Sequence, residues 1–209
     1  MSEPDHKPGE KALEGRDPLR LFGLWYLEAE KLGIVEPGTM TLATSDPDGR
    51  PSARIVLLKA SDEKGFVFYT NYLSRKGLQL ERNPQAALVL HWPQLQRQVR
   101  IEGRVEKIAP EESDRYFATR PRGSQLGAWA SGQSRTIPSR AALEESMREM
   151  ERKFGDMEVP RPPHWGGFRL IPSSIEFWVG REDRLHDRVV YERSMQDGMA
   201  DWEWHRLAP

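Results

Sequence analysis

Four basic residues in two short segments form the clearest chemical pattern in the sequence. Arg54 and Lys59 bracket an apolar run of four residues, and Arg75 and Lys76 follow Ser74, a residue type that commonly caps a helix. Cations in the first turn of a helix oppose its dipole, whereas an anion bound there is stabilised by the dipole and by free backbone N–H groups. The four cations together predict a site for a phosphate-bearing ligand. A solvated helix start and a core strand with charged ends are the simpler alternatives.

Positive charge is concentrated in one part of an otherwise neutral chain. The 209 residues carry a net charge of −1, yet residues 50–107 hold eleven Lys/Arg and five Asp/Glu, an excess of six positive charges. Such a local excess suits a small anionic ligand better than nucleic acid or an acidic membrane. The polar N-terminus has no apolar signal segment, and no run approaches the ~20 apolar residues that span a bilayer. We therefore expect a cytoplasmic protein.

Several classes of site are excluded by composition and spacing. The chain has no cysteine, which rules out disulfides, thiolate metal sites and thiol catalysis. Its five histidines show no metal-type spacing, and no P-loop, dinucleotide-binding glycine motif or GxSxG elbow is present. One histidine, His186, lies between Arg184 and Arg188, where flanking cations would disfavour its protonated form and suit anion recognition. A lone histidine is nevertheless more often structural or exposed.

Hydrophobic periodicity predicts the elements that must position these residues. A turn at residues 46–49 joins two strands, and the strands follow one another with few intervening helices, which favours an antiparallel barrel or sandwich with added helices. We expect a mobile segment at residues 1–16 and one domain at residues 17–209. Strands are predicted at residues 39–44, 52–58, 65–70, 86–92, 97–108, 165–179, 188–193 and 202–207. Helices are predicted after Asp17, at 74–82, at 110–119 and from Ser139, with a loop at 120–138.

An ordered set of motifs from about residue 17 to the C-terminus resembles the pyridoxine/pyridoxamine 5′-phosphate oxidase family. The motifs occur in the family's order and at family-like spacing, so the set is highly specific. They are Arg-Ile-Val-Leu-Leu-Lys (54–59), Phe-Tyr-Thr-Asn (68–71), Ser-Arg-Lys (74–76), Arg-Gln-Val (97–99), Tyr-Phe-x-x-Arg-Pro-Arg-x-Ser-Gln-x-Gly-Ala-Trp (116–129), Gln-Ser (133–134), Trp-Gly-Gly-Phe-Arg (165–169), Glu-Phe-Trp (176–178), Arg-Leu-His-Asp-Arg (184–188) and Arg-Leu-Ala-Pro (206–209).

This resemblance implies a mainly β, antiparallel split β-barrel with added α-helices, assembled as a homodimer with flavin mononucleotide (FMN) at the subunit interface. The implied reaction is oxidation of pyridoxine or pyridoxamine 5′-phosphate by O2 to pyridoxal 5′-phosphate, with release of hydrogen peroxide. By resemblance, the cofactor-binding positions are Arg54, Ile55, Val56, Leu57, Leu58, Lys59, Tyr69, Thr70, Arg75, Lys76, Gln98, Gln133, Ser134, Trp178 and Arg188. The implied substrate positions are Lys59, Tyr116, Arg120, Ser124, Arg184, Leu185 and His186, of which Arg184 and His186 are the candidate catalytic residues.

Two alternatives stay open at this point. One is a related flavin oxidase that acts on another planar anionic ring, as in phenazine biosynthesis; the other is a non-enzymatic split-barrel protein that binds flavin or heme. The complete set Tyr116, Arg120 and Ser124 favours the B6 phosphate. The family often carries an Arg-Arg-x-Tyr segment that covers the substrate, whereas residues 10–13 here read Glu-Lys-Ala-Leu. Tight closure over the substrate is therefore in question.

Overall fold

The computed structural model describes residues 13–196 and 199–209, which form nine strands and five α-helices. The strands are β1 (Thr39–Ser45), β2 (Pro51–Leu57), β3 (Ala60–Asp62), β4 (Gly65–Asn71), β5 (Gln85–Trp92), β6 (Arg97–Lys107), β7 (Trp165–Val179), β8 (Asp187–Gln196) and β9 (Met199–Arg206). The helices are α1 (Pro18–Lys31), α2 (Arg75–Arg82), α3 (Pro110–Ala118), α4 (Arg122–Ala130) and α5 (Arg140–Phe154).

All strand pairs are antiparallel, and the long strand β7 organises the sheet. The strand order is β2-β1-β5-β6-β7-β4-β3, with β8 beside β7 and β9 beside β8. One edge of β7 pairs with β6; the other edge pairs with β4 at residues 165–170 and with β8 at residues 174–179. Because β7 changes partner part way along, the sheet curls into a split β-barrel, which confirms the predicted fold class.

Strand β6 follows the predicted alternation but contains an irregularity. Val99, Ile101 and Val105 are buried, as their spacing predicts. The register between β6 and β7 shifts at Glu102/Gly103, where a Cβ on residue 103 would lie 2.1 Å from the carbonyl oxygen of Ile171. Only glycine fits this close approach, and the bulge increases the local bend of the sheet.

Helix α1 covers the main core, and its capping agrees with the sequence pattern. Asp17 accepts a hydrogen bond from the backbone N–H of Leu19, and Pro18 occupies the first turn. Phe22 is fully buried and meets Phe66 edge-on at 4.8 Å between ring centroids. Within the described part of the chain, no helix is both long and apolar enough to cross a membrane.

The prediction of a loop at residues 120–138 is wrong for the nine residues that form α4. Two glycines within α4 lower its intrinsic helix propensity, so local sequence does not favour a helix there. Tertiary contacts override that preference: Leu126 is buried in a second small core, and the side-chain amide of Gln125 donates to the carbonyl of Phe117 at 3.0 Å. The short strand β3 is also absent from the predicted elements.

The predicted mobile segment, residues 1–16, lies mostly outside the described residues. Its last four residues are described, and the first two of them, Leu13 and Glu14, contact the rest of the fold. Leu13 is only 3% exposed, and its carbonyl accepts a hydrogen bond from the Tyr191 hydroxyl. Glu14 pairs with Arg206 at 2.7 Å. These contacts attach the start of the described chain to β8 and β9.

Candidate functional site

A cavity of about 320 Å³ opens where β2, β4, the start of α2 and the α3–α4 connection meet. Eleven residues predicted for cofactor or substrate binding line it, together with Trp165. The predicted residues are Arg54, Ile55, Val56, Leu57, Lys59, Tyr69, Thr70, Lys76, Tyr116, Arg120 and Gln133. A larger cavity of about 1000 Å³ lies beside α1, but it contains none of the predicted residues and its Arg97 is already paired with Glu28 at 2.6 Å.

The ammonium group of Lys76 is held by neutral oxygens only. Its Nζ donates to the Gln133 side-chain oxygen at 2.7 Å, to the Thr70 hydroxyl at 3.1 Å and to the Ser74 hydroxyl at 3.3 Å. Ser74 also caps α2 by accepting from the Gly77 N–H, as predicted. Burial, and secondarily the nearby Arg54 guanidinium, lowers the pKa of Lys76 to about 8. A bound anion would oppose both effects.

The Arg54 guanidinium lies on a polar layer beneath the cavity. Its Nη1 donates to the Thr44 hydroxyl at 2.7 Å, and its Nη2 donates to the Ser52 hydroxyl at 2.6 Å. Burial and then the Arg75 charge lower the pKa of Arg54. Among the described residues, no carboxylate forms an ion pair with Arg54, Lys59, Arg75 or Lys76. The cluster is therefore a concentration of positive charge without an internal counter-charge.

Gln79 is an important residue of this layer that sequence reasoning missed. Its side-chain oxygen accepts hydrogen bonds from the hydroxyls of Thr44 and Ser52, each at 2.7 Å, and it is 7% exposed. Both hydroxyls also accept from Arg54, so Gln79 orients them toward the guanidinium. Its position four residues after Arg75 places it on the same face of α2, and that spacing is the signal that would have found it.

An aromatic wall and a half-buried cation form the other side of the cavity. Tyr69 stacks on Tyr116 at 3.9 Å and on Trp165 at 5.3 Å between ring centroids. Burial, followed by the Glu112 charge, raises the pKa of Tyr69 to about 12. The Arg120 guanidinium lies 4.6 Å from the Trp165 ring, and its buried Nη1 has no hydrogen-bond partner among the described residues. Burial also lowers the pKa of Arg120.

The substrate-binding predictions near Arg120 occupy neighbouring positions. Helix α3 ends at Ala118, so Arg120 lies just beyond the helix; nevertheless Tyr116 and Arg120 line the same cavity. Ser124 lines an adjoining cavity of about 240 Å³ that shares Arg120 and Trp165 with the first. The two cavities therefore adjoin each other at Arg120.

Six predicted cofactor residues do not line this cavity, and three of them belong to the segments that surround it. The Leu58 side chain is 7% exposed and packs in the main core, although its backbone continues the β2 segment. Arg75 is exposed and acts on the cluster through its charge on Arg54. Ser134 is exposed and adopts a left-handed backbone conformation with φ of 70°.

The remaining predicted residues form a second group across β6, β7 and β8. Gln98 is opposite Trp178, and Trp178 is opposite Arg188, so the three lie in one row of the sheet. The His186 ring lies 4.6 Å from the Trp178 ring, whereas Arg184 and Leu185 are exposed in the turn before β8. Arg188 does not flank His186 as a free cation, because Glu176 holds it with hydrogen bonds of 2.9 and 3.1 Å.

The two groups lie at opposite ends of β7. Trp165 begins that strand beside the cavity, and Trp178 is thirteen residues further along it. At ~3.3 Å per residue the path along the strand is roughly 40 Å. Gln98, Trp178 and His186 do not line the cavity of their own chain.

Two family models together match most of the chain. The family model described as "Pyridoxamine 5′-phosphate oxidase" matches residues 28–154, and that described as "Pyridoxine 5′-phosphate oxidase C-terminal dimerisation region" matches residues 165–209. Two proteins named pyridoxine/pyridoxamine 5′-phosphate oxidase are each 58% identical to this chain. The one from Cupriavidus necator covers 92% of this chain and 89% of its own length; the one from Paraburkholderia xenovorans covers 93% and 90%.

Two solved structures extend the comparison to the fold. PhzG from Burkholderia lata, in complex with tetrahydrophenazine-1-carboxylic acid, superposes with a TM-score of 0.88 at 32% identity and covers 95% of this chain and 96% of its own. A pyridoxamine 5′-phosphate oxidase-related, FMN-binding protein from Nostoc punctiforme has a TM-score of 0.72 at 20% identity, covers 93% of this chain and 99% of its own, and shares the fold. On the sequence matches and the split-barrel architecture together, the chain belongs to the pyridoxine/pyridoxamine 5′-phosphate oxidase family.

Proposed function

We propose that this protein uses FMN to oxidise pyridoxine or pyridoxamine 5′-phosphate with O2, forming pyridoxal 5′-phosphate and hydrogen peroxide; with the amine, water is also consumed and ammonia is released. The observation that carries the proposal is the cavity whose cations have no carboxylate partner among the described residues. Family membership supplies the reaction class, and the relatives at 58% identity bear the name of this activity. The residues of the cavity must then account for two phosphate groups, one on the cofactor and one on the substrate.

The first phosphate, that of FMN, fits the cluster at the start of α2. Lys76 and Arg54 supply charge-assisted donors, the Thr70 hydroxyl adds a neutral one, and the free N–H groups of the helix start add favourable dipoles. We assign Arg75, Gln133 and Ser134 to the same end of the cofactor, and the β2 segment 54–59 to its ring and ribityl chain. The chemistry that FMN supplies when bound is acceptance of a hydride and its return to O2 as hydrogen peroxide.

The second phosphate, that of the substrate, fits the region around Arg120. The unpartnered Nη1 of Arg120 is a buried donor whose desolvation is uncompensated in the free protein, and an anion would satisfy it. Lys59 and Tyr116 line the same cavity as Arg120, Ser124 lines the adjoining one, and together they complete the proposed phosphate site. Tethering a substrate by a remote phosphate leaves its ring free to be oriented for reaction.

The second group is proposed to reach this cavity from a partner subunit. Gln98, Trp178 and Arg188 are proposed to contact the cofactor, and Arg184, Leu185 and His186 the substrate ring. None of them lines the cavity of their own chain, and Trp178 lies thirteen residues along β7 from Trp165, which does. Residues 165–209 match a family dimerisation region. Two large apolar side chains are also exposed in the single chain: Ile55, beside the cavity, is 62% exposed, and Leu185, in the second group, is 68% exposed. A homodimer with two FMN sites at its single interface would unite the two groups of residues.

A second candidate substrate is a planar ring that carries a carboxylate in place of a phosphate. The likeness to PhzG, solved with tetrahydrophenazine-1-carboxylic acid, favours this alternative. Arg120 and Lys59 would pair with either anion. The B6 phosphate is preferred because Tyr116, Arg120 and Ser124 form a set of donors large enough for the oxygens of a phosphate.

The proposal is tested by loading the purified protein with FMN and measuring turnover in air. We expect flavin absorbance to be acquired, pyridoxal 5′-phosphate to form from either B6 phosphate, and hydrogen peroxide to appear in equal amount. Unphosphorylated pyridoxine is the matched control, and its kcat/KM should be far lower. Bound flavin with turnover of tetrahydrophenazine-1-carboxylic acid alone would support the second candidate. A protein that binds FMN and oxidises neither class would refute both.

A further inference from the structure

The turn between β7 and β8 holds the His186 ring in one orientation. The backbone N–H of Arg181 donates a hydrogen bond to Nδ1 of His186 at 3.1 Å. The ring also packs against the Trp178 indole, with centroids 4.6 Å apart. Two different contacts therefore restrict both the position and the rotation of the imidazole.

The surrounding turn is tightly constrained. The Arg181 side chain pairs with Asp187 at 2.6 Å, and Arg206 pairs with the other oxygen of the same carboxylate at 3.3 Å. Asp183 and Arg184 both adopt left-handed backbone conformations, with φ of 54° and 62°. Non-glycine residues rarely adopt this conformation, and they do so where the surrounding structure enforces it. The turn is thus held on both sides of His186.

The hydrogen bond at Nδ1 determines which ring nitrogen carries the proton. A backbone N–H can only donate, so Nδ1 must accept and must be unprotonated. A proton on Nδ1 would point at the Arg181 N–H and break the contact. A neutral ring held in this way carries its single proton on Nε2.

We propose that the Arg181 N–H holds His186 as the Nε2–H tautomer, so that His186 offers the substrate a hydrogen-bond donor and not a base. This role of His186 rests on the proposed function, whereas the tautomer itself does not. Its partner would be an acceptor oxygen on the planar ring of the substrate. Arg181 is then a positioning residue, and it acts through its main chain.

The tautomer is measured directly by long-range ¹H–¹⁵N correlation spectroscopy on protein labelled with ¹⁵N-histidine. The His186 signals are assigned by their loss in His186→Gln. We expect, above neutral pH, an unprotonated shift at Nδ1 and a protonated shift at Nε2. His91, an exposed histidine on β5, is the internal reference for a ring that samples both tautomers. An unprotonated Nε2, or an averaged pattern like that of His91, would overturn the proposal.

Turnover of two variants separates a donor from a base. Glutamine places an amide N–H near the position of Nε2 and has no useful basicity, whereas leucine offers neither function. For a donor, His186→Gln should retain kcat/KM within about tenfold of the parent while His186→Leu loses roughly 10–100-fold. For a general base, both variants should lose a similar factor of roughly 10²–10⁴. If the unmodified protein oxidises no ring substrate, the proposed function fails, while the spectrum still decides the tautomer.

Discussion

The carboxylate of Glu176 offers the sharpest test of what stabilises the second group of predicted residues, across β6, β7 and β8. It is only 7% exposed and lies between two guanidinium groups. Arg188 approaches it with Nε and Nη2 at 2.9 and 3.1 Å, and Arg100 approaches with Nη1 at 3.1 Å. Glu176→Gln keeps the shape of the side chain but removes the negative charge from between two cations.

The expected loss of stability follows from burial. Removing one partner of a fully buried ion pair costs ~3–5 kcal/mol. Here the cations are 25% and 42% exposed, so water partly compensates them, and we expect a loss of about 2–3 kcal/mol. For a chain of this size that corresponds to a fall in Tm of roughly 4–12 °C. Since Arg188 is proposed to contact the cofactor, FMN affinity should fall as well.

The matched control is Glu102→Gln. Glu102 also pairs with Arg100, at 2.7 Å, but it is 50% exposed, so its loss should cost less than about 1 kcal/mol. Urea unfolding and thermal melts of the FMN-free proteins, at one protein concentration, measure both variants. Equal losses for the two variants would refute the reasoning that burial makes Glu176 the dominant partner.

Three further expectations concern the cavity. Arg120→Met removes the unpartnered buried donor, so the free protein should be at least as stable while kcat/KM for phosphorylated substrates falls roughly 10–100-fold; an equal fall with unphosphorylated pyridoxine would contradict the assignment. The pKa of Lys76 is lowered from 10.5 to about 8 in the folded protein, so the unfolded chain holds this proton more tightly than the folded chain does. The charged form of Lys76 therefore destabilises the fold below pH 8, and this destabilisation is relieved as pH rises from 8 to 10.5. FMN affinity should fall over the same range as the charge is lost, and titrations of Lys76→Met should lack that fall; an unchanged pH dependence would mean that another group titrates. Gly77→Ala would place a Cβ 2.1 Å from the Tyr72 carbonyl and should destabilise the start of α2 by ~1–3 kcal/mol, whereas Gly123→Ala meets open space in α4 and should be neutral or stabilising in the same denaturation assay.

Local patterns accounted for the elements that hold the cation cluster. The Ser-Arg-Lys segment predicts the start of α2, and the structure has Ser74 as its cap. Alternation along β6 likewise predicts which of its residues are buried. The start of α2 depends on a hydrogen bond between residues close in sequence, and burial along β6 depends on the two-residue period of a strand. Both can be read from a short stretch of consecutive residues.

Features that depend on contacts between distant parts of the chain could not be predicted from the sequence in the same way. Helix α4 depends on the burial of Leu126 against other helices. Its glycines lower the helix propensity of the segment, so propensity alone does not predict a helix there. The role of Gln79 depends on two hydroxyls that come from different strands. The separation of the second group from the cavity depends on where along β7 its partner changes from β4 to β8. This position is set by the register between segments that are distant in sequence.

The length of β7 has a consequence for complementation between damaged chains and for the activity of the diluted protein. If one end of this strand serves a site built with one chain and the other end serves a second site, each active centre draws on both copies of the protein. A chain damaged at Lys76 and a chain damaged at Trp178 would then complement each other in a mixed dimer, in which one centre receives two intact halves. Activity would also decline on dilution as the two copies separate.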